Sequence, residues 1–143
     1  MFMGEYNHTL DAKGRVIVPS KFREALGEVF VVTRGLDGCL FVFSNDEWAD
    51  FEKKLQDLPV ASKQARIFTR FFLSGAITVE ADKQGRILIP ANLRQAADLE
   101  KDIVFVGVAN RIEIWDKEKW SGYTEIDDED MEAVAEQMAE LGI

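Results

Sequence analysis

Two arginines, Arg15 and Arg86, occur in the same local pattern, with an aspartate four residues earlier and a glycine immediately before. The guanidinium group presents a rigid fork of N–H donors that matches a pair of phosphate oxygens or the two acceptors on the major-groove edge of guanine. The glycine can adopt the positive φ that a tight turn often needs. The spacing therefore predicts two turns, each presenting an arginine that can bind nucleic acid.

Both patterns belong to a longer internal repeat. Residues 11–23, Asp-Ala-Lys-Gly-Arg-Val-Ile-Val-Pro-Ser-Lys-Phe-Arg, recur 71 residues later as residues 82–94, Asp-Lys-Gln-Gly-Arg-Ile-Leu-Ile-Pro-Ala-Asn-Leu-Arg. The Asp, Gly, Pro and both Arg positions keep identical spacing, with three aliphatic residues before the proline. A repeat of this kind indicates a duplicated structural unit, so the two arginines are expected at comparable positions.

The aspartates of the repeat, Asp11 and Asp82, are not expected to face DNA, because phosphates repel carboxylates. Each aspartate either accepts hydrogen bonds from turn amides or pairs with its arginine and holds it extended. Together with Gly14 and Gly85, they are predicted to shape the two loops. A purely structural ion pair that only stabilises the turn is the alternative for the arginines.

Further basic residues near the turns are weaker candidates for phosphate contacts. They are Lys13, Lys21, Arg23, Lys83 and Arg94. The second turn has Gln84 where the first has Lys13, so the two loops are expected to contact DNA unequally. A separate basic helical face is favoured for subunit contacts or plain solvation, and it consists of Lys63, Arg66 and Arg70.

No set of residues points to catalysis, a cofactor or a metal. His8 is the only histidine and is expected to be a polar group in a strand or loop, while Cys39, the only cysteine, is predicted to be a buried thiol. The acidic run 127–130 lacks the alternating ligands and central glycine of a calcium loop. The sequence predicts a protein that is not an enzyme.

The net charge of −9 argues at first against a nucleic-acid partner, which usually needs a basic surface. The acidity is concentrated at the end of the chain, since residues 113–143 contain eleven acidic residues and two lysines. Residues 1–112 are therefore neutral overall, and residues 63–94 contain six basic and two acidic residues. This distribution is compatible with a basic face on an acidic chain.

Short strands are the elements that must position the arginines. The predicted strands are residues 6–10, 15–18, 29–34 and 39–43 in the first repeat and 76–81, 86–89, 103–108 and 111–115 in the second. The first two strands of each repeat are predicted to form a hairpin around the Gly-Arg turn. Residues 16–18 are apolar without alternation, which predicts a strand buried on both faces or one that crosses into the other repeat. Pro19 and Pro90 each end a strand and open a short helix.

Longer helices are predicted from capping and periodicity. Ser44 and Glu47 form a capping box, and the helix that follows has a stripe of Trp48, Phe51, Leu55 and Leu58. A second helix is predicted at residues 62–73 and an acidic amphipathic helix at 128–141. The three tryptophans are expected in the core.

The predicted fold class is α+β. Each half has too few strands to enclose a core alone, so the halves are expected to pair about a pseudo-twofold axis in one small β-barrel with flanking helices. The predicted organisation is a first repeat with its following helix (residues 1–60), a connecting basic helix (61–75), a second repeat (76–123) and an acidic C-terminal helix (124–143).

The pattern Asp-x-x-Gly-Arg, followed by aliphatic residues, proline and a short helix carrying arginine, resembles the SpoVT-AbrB swapped-hairpin fold of bacterial transition-state regulators and antitoxins. Two tandem copies, with the opening Met-Gly-Glu-Tyr-Asn-His and Phe-x-Arg-Phe-Phe between the copies, resemble the MraZ family over essentially the whole chain. The resemblance implies a bacterial transcriptional regulator that binds direct repeats in the promoter of the division and cell-wall gene cluster and assembles into rings. By position, Asp11, Arg15, Asp82 and Arg86 carry the DNA-contacting Asp-x-x-x-Arg motif.

The resemblance also implies that Arg23 and Arg94 match an arginine that often contacts DNA in the wider fold. An antitoxin-like or adaptor protein is the main alternative, with the acidic C-terminal helix docking a protein partner. A hydrolase acting through His8 and the aspartates is disfavoured, because nothing in their spacing supports one. No run of about 18 apolar residues and no secretion signal is present, so the expected location is the cytoplasm, at the nucleoid, without a membrane partner.

Overall fold

The computed structural model describes residues 1–143, and its elements follow the duplicated order of the sequence. The first repeat and the connecting helix contain β1 (Glu5–Thr9), β2 (Arg15–Ile17), α1 (Ser20–Leu26), β3 (Val29–Arg34), β4 (Leu40–Phe43), α2 (Asn45–Gln56) and α3 (Lys63–Gly75). The second half contains β5 (Ile77–Glu80), β6 (Arg86–Leu88), α4 (Ala91–Ala96), β7 (Asp102–Val108), β8 (Arg111–Asp116), α5 (Lys117–Thr124) and α6 (Asp128–Ala139). The α+β class and the duplication are confirmed, while the exact domain boundaries stay a prediction.

The strands of one repeat pair mainly with strands of the other. A six-stranded antiparallel sheet has the order β1-β7-β8-β4-β3-β5, and β2 pairs with β6 in a separate two-stranded ribbon. The predicted hairpins are therefore wrong as paired units, because β1 and β2 pair with different strands of the second repeat. The reason is burial: one repeat alone has too little apolar surface, and exchanging strands gives both repeats one shared core.

That shared core is a cluster of 19 buried residues drawn from both repeats. The ribbon covers one face of the sheet and contributes Val16, Val18, Ile87 and Ile89 to the cluster. Burying an aliphatic side chain of this size contributes about 1.5–3 kcal/mol, so the four anchor the ribbon firmly. The strands thus enclose one core as predicted, in the form of a sheet and a ribbon.

The side chains of residues 16–18 alternate between buried and exposed positions. Val16 and Val18 are 1% exposed, whereas Ile17 between them is 41% exposed and Leu88 on the partner strand is 55% exposed. The prediction of a strand buried on both faces is wrong, because the ribbon has only one sheet face beneath it. The alternative prediction, that the strand crosses into the other repeat, is confirmed by its pairing with β6.

The opposite face of the sheet carries α2 and α3. Along β4, Leu40 and Val42 point into the shared core, whereas Phe41 and Phe43 belong to a second cluster with Leu55, Phe72 and Trp115. The Thr33 hydroxyl, fully buried in β3, donates a 2.6 Å hydrogen bond to the carbonyl oxygen of Phe72 in α3. Since alternate strand residues face opposite sides, α2 and α3 lie on the far side of the sheet from the ribbon.

The predicted features of these helices are largely confirmed. Ser44 caps α2 by accepting a 3.3 Å hydrogen bond from the Glu47 backbone N–H. Leu55 is buried, and Trp48, Phe51, Leu58 and Trp120 pack partly buried around the second cluster. No helix of the structure combines the length and the apolar character needed to cross a membrane.

Candidate nucleic-acid interface

Asp11 builds the first loop. Its Oδ1 accepts hydrogen bonds from the backbone N–H groups of Lys13 and Arg15, each at 2.9 Å, and its Oδ2 accepts one from Arg15 Nε at 2.7 Å. Gly14 follows in the left-handed region, with φ 87°. The aspartate thus does both things that the sequence allowed, because it closes the turn and also fixes the Arg15 side chain.

These hydrogen bonds keep the Asp11 carboxyl group ionised. The backbone N–H of Arg15 is the largest influence, and with the Arg15 side chain and the Lys13 N–H it lowers the pKa of Asp11 to about 2. At neutral pH the Asp11 carboxylate is therefore charged and holds Arg15 at the base of the loop.

The second loop repeats this geometry. Asp82 Oδ1 accepts 2.9 Å hydrogen bonds from the backbone N–H groups of Gln84 and Arg86, and Oδ2 accepts one from Arg86 Nε, also at 2.9 Å. The pKa of Asp82 is lowered as well, chiefly by the backbone N–H of Arg86. The second loop has Gln84 at the position that Lys13 occupies in the first. This difference leaves the hydrogen bonds of the loop unchanged, because only the backbone of the residue at this position takes part in them. The two loops therefore differ in side-chain charge and share one scaffold.

Arg23 and Arg94 lie behind the loops of the opposite repeat. Arg23 Nε donates a 2.8 Å hydrogen bond to the Val18 carbonyl oxygen, and the guanidinium group lies against Gly85. Arg94 Nη1 donates to the Ile89 carbonyl oxygen at 2.5 Å and lies against Gly14. The structure gives both arginines a supporting role beneath a loop, whereas their contact with DNA stays a prediction.

The ribbon joins the two loops. In its register Arg15 lies opposite Leu88, Val16 opposite Ile87, and Ile17 opposite Arg86. The Val18 N–H donates to the Gly85 carbonyl oxygen and the Ile89 N–H to the Gly14 carbonyl oxygen, both at 2.9 Å. Each strand of the ribbon thus ends against the glycine of the other repeat's loop, which places the two loops at opposite ends of one rigid element.

The outer face of this ribbon alternates arginine and aliphatic side chains. Since residues two apart share a face, Arg15 and Ile17 point outward from β2, and Arg86 and Leu88 from β6. Ile17 and Leu88 were missed as candidate site residues. The period of two could have revealed them, had Arg15 been taken as the outward reference for the strand.

The lysines predicted to contact phosphate are all solvent-exposed. Lys13 and Lys83 lie in the two loops, and Lys21 lies in the first turn of α1. The basic group of Lys63, Arg66 and Arg70 lies on α3, on the far side of the sheet from the ribbon. The structure therefore places the two loops on one ribbon and separates them from the basic face of α3.

The two residues considered for other chemistry are packing residues. Cys39 is 3% exposed, as predicted, and burial raises the pKa of its thiol to about 12. His8 lies in β1 with its ring edge-to-face on Phe105, at a centroid distance of 5.7 Å. Burial, with a contribution from Arg23, lowers the pKa of His8, which favours the neutral imidazole.

Comparison with known proteins identifies similar sequences across the full chain. The family model described as "MraZ protein, putative antitoxin-like" matches residues 1–71 and again 72–141. A "Transcriptional regulator MraZ" from Thermoanaerobacter sp. (strain X514) is 59% identical over 143 residues, covering 100% of both chains. Proteins of the same name from Acetivibrio thermocellus and Clostridium acetobutylicum are 58% and 57% identical, again over 100% of both chains. The family model thus matches the chain twice in tandem, in agreement with the internal repeat.

Proposed function

The chain belongs to the MraZ family, and from this premise we propose that it is a sequence-specific, DNA-binding transcriptional regulator. The observation that carries the proposal is the ribbon, which presents Arg15 and Arg86 outward between two loops of identical bonding. The proposed role is non-catalytic.

The ribbon suits the major groove in shape. A groove about 12 Å wide admits a two-stranded β-ribbon, and arginine can bind the O6 and N7 acceptors of guanine with two hydrogen bonds. Arg15 Nε donates to Asp11 and Arg86 Nε to Asp82, whereas the terminal nitrogens of both guanidinium groups make no hydrogen bond within the chain and are free to donate to DNA. The aspartates therefore act as supports that aim the arginines at base edges.

Ile17 and Leu88 are the apolar part of the same surface. Exposed aliphatic side chains on a strand are unfavourable in water unless something covers them. In the major groove, the C5-methyl group of thymine is the apolar feature that a side chain can contact. The proposal therefore assigns guanine contacts to the two arginines and thymine contacts to Ile17 and Leu88.

Phosphate contacts are assigned to the exposed lysines around the ribbon. Lys13, Lys21 and Lys83 surround the ribbon and release counterions when they bind phosphates, so the affinity falls steeply as salt rises. Arg23 and Arg94 contribute mainly by holding the loops. Most of the acidic residues near the end of the chain lie in α5, α6 and their connections, and none of them lies in the ribbon or its loops.

One ribbon makes few contacts, so useful affinity requires several. We assign the target as direct repeats in the promoter of the division and cell-wall gene cluster, bound by a multisubunit ring. Linked weak contacts then combine through their effective concentration. A single-repeat operator bound as tightly as several repeats would contradict this mechanism.

The direct test is retardation of promoter DNA in a gel. Arg15→Ala and Arg86→Ala should each abolish or strongly weaken retardation while leaving the fold intact, because both side chains are on the surface. Lys54→Ala, an exposed substitution in α2 on the far side of the sheet, is the matched control and should leave binding unchanged. Capture of genomic fragments followed by native mass spectrometry then reports the site, the repeat spacing and the stoichiometry together.

An antitoxin-like or adaptor role is the second candidate, and the full exposure of α6 is the observation that favours it. It predicts that a chain lacking α6 still binds DNA but loses a different, co-purifying protein.

A further inference from the structure

The helix α6 has an apolar stripe that nothing in its own chain covers. The stripe residues Met131, Val134, Met138 and Leu141 are 48%, 41%, 36% and 75% exposed, and no residue of α6 is buried. A helix of 12 residues is marginal in water without tertiary packing. The stripe therefore marks a surface built to be covered by a partner.

The charge on α6 restricts what that partner can be. The helix contains Asp128, Glu129, Asp130, Glu132 and Glu136 and no basic residue. With about 3.6 residues per turn, Asp128 and Asp130 flank the apolar stripe, whereas the glutamates lie on the opposite side. A fitting partner is therefore an apolar groove with basic residues at its edge.

The chain itself has such a groove, between the end of α2 and the start of α3. Its apolar lining includes Leu58, Val60 and Ala65, and its edge carries Arg66 and Arg70. Val60 is 79% exposed, so this apolar surface is uncovered in the isolated subunit. Arg66 Nη1 donates a 2.8 Å hydrogen bond to the Val60 carbonyl oxygen, which holds that guanidinium group at the edge of the groove.

We infer that α6 of one subunit docks in the α2–α3 groove of a second copy of this chain. The apolar stripe covers Leu58, Val60 and Ala65, and Asp128 and Asp130 face Arg66 and Arg70. A second copy is the occupant because both complementary surfaces belong to one chain. Within one chain α6 leaves the groove open, since Val60 is 79% exposed and no residue of α6 is buried, and this favours a groove on another subunit.

The contact has a consequence for assembly. Donor helix and acceptor groove are different surfaces, so the interface is head-to-tail, and repeated head-to-tail contacts close into a ring when the rotation allows. The inference therefore deepens the proposed multisubunit assembly and rests on it, while remaining independent of the DNA-contacting residues. The α2–α3 groove lies on the far side of the sheet from the ribbon, so docking leaves the ribbon free.

The first experiment measures the assembled mass of the full chain by light scattering and sedimentation. Met138→Asp and Val60→Asp place a carboxylate in the proposed contact, and each should weaken self-association at least about tenfold. Because both side chains are exposed in the isolated subunit, each variant should keep the circular dichroism spectrum of the wild type. Glu136→Gln, on the opposite side of α6, is the control and should assemble normally. An unchanged mass for both aspartate variants would overturn the inference.

The second experiment identifies the occupant. A Met138→Cys chain is mixed with a Val60→Cys chain and treated with a short bismaleimide cross-linker, for which the buried Cys39 is a poor target. The expected result is a covalent dimer of one chain of each kind. A link that forms only within a single chain carrying both cysteines, or no link at all, would overturn the inference.

DNA binding is read separately in the same samples. Retardation that survives in Arg15→Ala refutes the proposed function without touching the docking, and loss of the cross-link refutes the docking without touching DNA recognition. Self-association that persists after deletion of α6, with loss of a different co-purifying protein, would assign the helix to that protein instead.

Discussion

The guanidinium group of Arg94 occupies the space that a Cβ at Gly14 would take, although the two residues belong to different repeats. Arg23 and Gly85 make the reciprocal contact. Each arginine also binds the carbonyl oxygen of the residue before the proline in its own repeat, Val18 or Ile89. The conformation of each loop therefore depends on both repeats, and neither half can present its arginine alone.

This relationship predicts that Gly14→Ala is costly for two separable reasons. A Cβ at residue 14 would overlap Arg94 Nη1, and a φ of 87° disfavours any side chain. The backbone alone costs about 1–2 kcal/mol, and displacing Arg94 adds to it. Chemical denaturation should therefore show a larger loss of stability for Gly14→Ala than the backbone cost.

A double-mutant cycle provides the control. In an Arg94→Ala background the overlap with the guanidinium group is removed, and a Cβ at residue 14 meets only the Ile89 carbonyl oxygen, at 3.0 Å. Gly14→Ala should therefore cost clearly less there than in the wild type. Equal costs in both backgrounds would show that the contact with Arg94 does not constrain the loop.

The loops share one scaffold but differ in charge, which predicts opposite effects of two exchanges. Lys13→Gln should weaken DNA binding and lower the slope of log affinity against log salt by about 1, since one phosphate contact is lost. Gln84→Lys should strengthen binding and raise the slope by a similar amount. Both residues donate only their backbone N–H to the loop, so neither change should alter the fold. Equal slopes for the wild type and both variants would remove these positions from the interface.

Much of the fold follows from local signals in the sequence. The repeat predicts the duplicated order of elements, Pro19 and Pro90 mark the ends of ribbon strands, and Ser44 marks the start of α2. For the strand after the first turn the sequence left two partners open, its own hairpin or the other repeat, because a hairpin and a swapped pair contain the same turn and the same apolar residues. Only the global requirement for a shared core decides between them.

The candidate site was predictable to a similar depth. The bonding of Asp11 and Arg15 follows from residue types four apart, with a glycine between them. The contacts of Arg23 and Arg94 with the opposite loops did not follow, because they join residues distant in the chain and depend on the exchange of strands. The exposed stripe of α6 did follow from periodicity, whereas the sequence pattern alone does not say what covers it.

Ile17 and Leu88 predict a form of base recognition that can be measured one methyl group at a time. On an operator obtained by genomic capture, replacing thymine by deoxyuracil removes the C5-methyl group and should weaken wild-type binding at the contacted positions. In Ile17→Ala or Leu88→Ala, the affinity for the thymine-containing operator should fall. Replacing thymine by deoxyuracil should then cause a smaller further loss of affinity than it causes for the wild type. The measurement is a binding isotherm for each protein and DNA combination, and Val29→Ala, at a similarly exposed apolar position of β3, is the control. If that replacement weakened binding by both ribbon variants as much as it weakens binding by the wild type, the proposed contact with thymine would be contradicted.

The pKa of Asp11 predicts how the first loop responds to acid. An unperturbed aspartate has a pKa of 3.8 and folded Asp11 a pKa of about 2, so the contribution of its carboxylate to stability is fully present above pH 3.8 and is lost as the pH falls toward 2. The largest cause is the backbone N–H of residue 15, which Arg15→Ala retains, whereas the ion pair with the side chain is removed. In Arg15→Ala, the pKa of Asp11 should therefore rise only part of the way to 3.8. Carboxyl ¹³C chemical shifts followed by NMR measure this directly, with Asp82 in the same molecule as the unchanged reference. A rise all the way to 3.8 would show that the loop depends on the ion pair rather than on its backbone hydrogen bonds.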